Sequence, residues 1–144
     1  MCQIKSENPH KSEEDIVCYK VLVKYGQVYD CILGKNRYLY SAPYRGKYYE
    51  FGVTYVDDVE PFVKCNFDGG LTLGAGYFHL IEKKEDAFLF KTHMDSLYSD
   101  RFVVARCTIP AGTDISRGRY NIVDEVIVDS ICARSFVIEE EITE

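Results

Sequence analysis

The sequence predicts an α+β domain: a twisted, mostly antiparallel sheet with one main helix, about residues 83–98, packed on it. Three observations lead there. Apolar, β-branched and aromatic runs recur along the chain, separated by Gly, Pro and Asn/Asp clusters, which is the pattern of strands and turns. Tyrosine is abundant, with 12 copies against no tryptophan, and Tyr, Val and Ile favour strands. One segment carries a helical period, with Ala87, Phe90, Met94 and Leu97 on one face.

The elements follow in order. Residues 1–14 are dominated by Ser, Glu, Asn, Pro, His and Lys and are expected to be mobile, leaving residues 15–144 as a single domain. Ile16–Lys24 is too apolar for simple alternation and reads as a central strand. Gly26 marks a turn into Gln27–Leu33, and Gly34-Lys35-Asn36 a turn into Arg37–Ser41, giving an antiparallel meander. Pro43 and Gly46 bracket a loop before a strand within Lys47–Val56, which Asp57, Asp58 and Pro61 end. Asn66-Phe67-Asp68-Gly69-Gly70 is a turn cluster, and Gly74 and Gly76 lead into a short buried strand, Tyr77–Ile81. Glu85 and Asp86 suit the helix dipole near its start, although no capping side chain precedes them. Phe102–Ile109 is another strand, Pro110–Thr113 a turn, and Arg117-Gly118-Arg119 a second loop. Val123–Ile131 and Arg134–Glu139 close the sheet, and Glu139-Glu140-Glu141 reads as a solvated tail.

Charge and cysteine usage bound the function. The net charge of −6 argues against nucleic-acid binding through a general electrostatic footprint. Lys35, Arg37, Arg45 and Lys47 lie among tyrosines, the one place where a single strand would find both cations and stacking faces; a solvated hairpin face is the simpler reading. The six cysteines form no C-x-x-C pair, and Cys18, Cys107 and Cys132 sit in apolar runs where a thiol behaves as a small hydrophobe. With no apolar region near Met1 and no run approaching the ~18 apolar residues of a spanning helix, a reduced, cytoplasmic protein without membrane contact is expected.

Few constellations carry chemistry. His79 lies two residues from Tyr77, so in a strand both face the same way, beside glycines that could border a pocket. The plainer reading is a core histidine beside a core tyrosine. His93 on the helix and His79 match no H-E-x-x-H pattern, so no metal is expected. The glycines from Gly69 to Gly76 lack the Gly-Lys-Ser/Thr of a phosphate loop, and His79 stands where a G-x-G-x-x-G pattern needs glycine. No G-x-S-x-G elbow occurs. Asp124, Glu125 and Asp129 could act as paired carboxylates but suit the wet face of an edge strand equally. Tyr38, Tyr40, Tyr44, Tyr48, Tyr49 and Tyr55 form the densest aromatic region, with Arg45 among them, a composition suited to a recognition surface or to sheet packing.

Two resemblances rest on short motifs. Gly76-Tyr77-Phe78-His79, the Glu85-Asp86-Ala87 helix start and the Ile109-Pro110-Ala111-Gly112-Thr113 turn resemble a set of small uncharacterised proteins of gut bacteria and their phages, over about Tyr77–Val128. The same order resembles an ADP-ribosyltransferase core, in which Tyr77 matches the aromatic of the second strand and Glu125 the late catalytic Glu. That resemblance implies NAD as cofactor, Tyr77 stacking on the base or nicotinamide, His79 near the pocket and Glu125 polarising the ribose. The first strand departs from it, with Tyr19-Lys20 where the family carries His-Gly or Arg-Gly.

The expectation from all of this is a non-enzymatic protein-interaction or self-association module, phage- or mobile-element-associated, with no cofactor. Its surface is Tyr38, Tyr40, Tyr44, Arg45, Tyr48 and Tyr49, and its occupant a protein partner or a second copy. The alternative is an NAD-using transferase with Tyr77, His79 and Glu125 as catalytic residues.

Overall fold

The computed structural model describes residues 3–42, 48–67, 70–121 and 127–144. Its strands are β1 (Gln3–Ser6), β2 (His10–Lys11), β3 (Ile16–Asp30), β4 (Lys35–Ser41), β5 (Tyr48–Tyr49), β6 (Thr54–Val56), β7 (Val63–Cys65), β8 (Leu71–Leu73) and β9 (Phe78–Ile81). The helix α1 (Lys84–Leu97) follows, then β10 (Phe102–Ile109), β11 (Asp114–Asn121), β12 (Ile127–Ala133) and β13 (Ser135–Ile142). Every strand pair among the described residues is antiparallel, in the order β6-β13-β10-β3-β9-β12-β11-β1-β8-β7, with β2 on β11 and β4 between β3 and β5. The α+β expectation holds at this level, with sheet dominating and curling into a half-barrel.

The near-continuous apolar character of the central strands has a direct cause: both faces are covered. Along β3, Cys18 and Leu22 enter a core inside the curl with Leu80, Val103, Ala105, Cys107, Ile131, Phe136 and Ile138. The alternate residues Val21 and Val23 enter a second core under α1 with Ile81, Phe90, Met94, Phe102 and Val104. Strand alternation alone sorts the two sets, because successive side chains point to opposite faces. Phe136 is fully buried at the centre of the inner core, 4.7 Å from the Phe78 ring and 5.7 Å from that of Tyr49.

The helix lies where the 3.6-residue period places it, with Ala87, Phe88, Phe90 and Met94 buried. Leu97 is exposed rather than packed, because the apolar face ends at Met94. No side chain caps the N-terminus at Lys83.

Several elements differ from the sequence reading. The chain does not turn at Gly26; β3 runs through it to Asp30, and the irregular register between Lys24 and Gln27 marks a bulge where a side-chain-free residue is easily accommodated. The strand expected within Lys47–Val56 is broken by a turn at Phe51-Gly52, where Gly52 takes a φ of 78°. Arg117-Gly118-Arg119 is not a loop but the middle of β11. Residues 3–11, which composition places outside the domain, contribute β1 and β2, both paired with β11. The fully buried Gln3 ties β1 down: its amide nitrogen donates to Ser116 O at 3.0 Å and Ser130 Oγ at 2.9 Å, while Ser6 Oγ donates to its Oε1 at 2.7 Å. The acidic tail is also structural, since β13 extends to Ile142 and Glu141 accepts from Lys24 Nζ at 2.9 Å and Tyr40 OH at 3.2 Å.

Candidate functional site

The glycine-flanked approach to β9 sets the site. Gly76 adopts a φ of 89°, and a Cβ there would lie 2.6 Å from Pro61 Cα, so only glycine fits without backbone movement. The turn is clamped by Arg134, at the corner between β12 and β13, whose guanidinium donates to Gly76 O and, at 2.7 Å, to Val59 O. The same guanidinium lies 5.9 Å from the centre of the Tyr77 ring.

Antiparallel pairing of β9 with β12 places His79 directly opposite Cys132. His79 Nδ1 is 3.3 Å from Cys132 Sγ, and His79 Nε2 is 3.2 Å from Gly74 O. A carbonyl oxygen only accepts, so Nε2 carries the hydrogen and the Nδ1 lone pair faces the thiol. Tyr120 stacks on the imidazole from β11, with ring centres 6.1 Å apart. Leu73, Tyr77 and Cys132 form a small buried cluster of their own. Tyr77 and His79 therefore converge, as their spacing suggests, but on a thiol rather than an open pocket. Tyr77 is 4% exposed, so in this conformation its ring offers no free face to a base. Burial raises its phenol above the ordinary value, with Arg134 opposing.

Cys132 is the residue that sequence reasoning missed as a chemical group. Its apolar run marks it as core, which it is, and its basic neighbour lies 53 positions away in the chain. Only the β9–β12 register joins them.

The other expected residues fall in several places. Glu125 and Asp124 lie outside the described residues, as do Tyr44, Arg45 and Lys47, and the Arg37 side chain is not described. Asp129 pairs with Lys83 at 2.9 Å and Arg119 at 3.5 Å; the hydrogen bond from Lys83 is the main cause that holds its carboxyl below the ordinary value. His93 is on α1 and His79 on β9, and no group of three metal-ligating side chains occurs among the described residues.

The tyrosine region divides between core and surface. Tyr40 and Tyr49 are buried in the inner core, whereas Tyr38 and Tyr48 are exposed. Lys24 Nζ sits 4.1 Å from the Tyr38 ring centre and 5.9 Å from that of Tyr40, so these two share a face as their spacing requires. Beyond this face the β3–β4 hairpin extends past the end of β10, whose pairing stops at Phe102 opposite Val23. Tyr25, Tyr29, Ile32 and Leu33 are exposed along it, Ile32 at 96%.

No helix among the described residues is long and apolar enough to cross a membrane. Compared with known proteins, the chain matches no family model, no curated protein and no solved structure.

Proposed function

We propose that this protein is a self-association module whose contact element is the β3–β4 hairpin, two copies joining along β3. The carrying observation is the outer edge of β3. From Tyr25 to Asp30 its only strand partner among the described residues is β4, while the opposite edge has lost β10. Such an edge presents a row of main-chain donors and acceptors that another strand can pair.

Natural edges are blunted by Lys, Pro or β-bulges. The segment Tyr25-Gly26-Gln27-Val28-Tyr29 carries neither Lys nor Pro, its bulge is confined to the Lys24–Gln27 end, and Tyr25 and Tyr29 are exposed. An antiparallel edge is its own complement about a two-fold axis, which favours a second copy as the occupant. Tyrosine suits that contact, giving apolar area with a hydroxyl still able to meet water.

The test is light scattering across a concentration series on the wild type and on Tyr29→Lys/Ile32→Lys. The wild type is expected to dimerise and the variant to be monomeric, with a denaturation midpoint equal to that of the wild type at concentrations low enough to dissociate it. A wild type that stays monomeric throughout, or a variant that dimerises equally well, overturns the reading.

A further inference from the structure

Three of the cysteines are fully buried, and they differ in what they face. Cys18 and Cys107 stand opposite each other on β3 and β10 inside the inner core. Burial pushes the Cys107 thiol up to about 12 and raises Cys18 as well, which leaves both as inert core thiols. Cys132 is on the other face of the sheet, against an imidazole.

That imidazole is oriented. Gly74 O holds the hydrogen on Nε2, so Nδ1 has a lone pair 3.3 Å from the sulfur, and Tyr120 stacks on the ring. A base within hydrogen-bond reach of a nucleophile and itself fixed by a third group is the arrangement that activates a thiol. Leu73 at the end of β8 and Tyr77 in the turn pack against Cys132, and exposed Ala75 lies between them in the chain.

We propose that Cys132 is an oxidation site, a thiol activated by His79 that reacts with hydroperoxides. The thiol proton passes to His79 Nδ1, and the sulfur attacks the near peroxide oxygen. The S–O bond forms as the O–O bond breaks. Sulfur is oxidised to the sulfenic acid, the peroxide is reduced, and the imidazolium returns its proton to the departing oxygen as water or alcohol. Hydrogen peroxide is little larger than water, so a brief local opening of the Tyr77 turn admits it without global unfolding.

Cys18 and Cys107 serve as comparators within the same molecule. The folded protein is exposed to hydrogen peroxide with dimedone, which traps sulfenic acids, and each cysteine is followed by peptide mass spectrometry. Cys132 is expected to be trapped well ahead of Cys18 and Cys107. His79→Gln is expected to slow Cys132 by about 100-fold, the usual scale of a lost general base. Tyr77→Ala is expected to speed Cys132 while Cys18 and Cys107 stay slow, which separates an opened cover from a loosened fold. Trapping of Cys132 in step with Cys18 and Cys107, or at the same rate in His79→Gln, overturns the proposal.

Discussion

Gln3 occupies the space that a side chain at Gly118 would need: a Cβ built on Gly118 falls 2.8 Å from Gln3 Cδ. The glycine is therefore part of the mechanism that docks the N-terminal strand. Its absent side chain leaves a slot across β11, and the glutamine amide fills the slot while bonding Ser116 and Ser130.

Gly118→Ala is expected to cost about 1–3 kcal/mol, the usual range for overpacking a filled site. Gln3→Ala should cost about as much, because it strips donors from buried carbonyls. The double variant should lose less than the sum, since Gln3→Ala relieves the contacts of a Cβ at 118 with the Gln3 side chain and leaves only that with Ile4 O at 2.9 Å. Urea denaturation of the four proteins gives the coupling directly, and strict additivity would refute this account of the slot.

Alkaline stability should fall in a defined window. Cys107 rises from an ordinary 9.0 to about 12, mainly through burial, and Tyr40 from 10.0 to about 12 through burial and the neighbouring Glu141. Both groups hold their proton more tightly when folded, so their contribution is complete below the unfolded values and is lost as pH rises through the folded ones. The denaturation midpoint should decline from about pH 9 towards pH 12. Tyr40→Phe should flatten the part of the decline above pH 10, a comparison read from midpoints in a pH series.

The sequence pattern carries some of this architecture and not the rest. Phe102–Ile109 is legible to the residue because nothing interrupts its apolar run, and α1 because its period is unambiguous. The strand through Gly118 is not, since glycine between two arginines has the composition of a loop and its reason for being there is Gln3, far away in the chain. The His79–Cys132 pair is hidden for the same reason: its two members belong to strands whose register is a long-range property. Tyr40 and Tyr38 look alike in sequence, and only the closing of the inner core decides that one is covered.

Asp129 gives an acid-side prediction. Its carboxyl is held low by Lys83 and Arg119 when folded, so its contribution is present above the unfolded carboxylate range and disappears as pH falls through the lowered folded value. Because its side chain is 34% exposed, solvent screens the pair, and Asp129→Asn should cost about 1 kcal/mol or less at neutral pH. The difference between wild type and Asp129→Asn should shrink with added salt and vanish at acid pH in thermal melts. A difference that persists at acid pH would point to packing instead.

The placement of β1 bears on how the chain acquires its structure during synthesis. Gln3 hydrogen-bonds Ser116 and Ser130, more than a hundred residues further along the chain, and the opposite edge of its strand pairs with Leu71–Leu73. The central strand β3 likewise waits for β10. Such pairings across large sequence separation incur their closure entropy before they gain contacts, which slows folding. During synthesis one edge of β1 therefore waits for β8 and the other for β11, and until β11 is available that open edge is exposed to association with other chains.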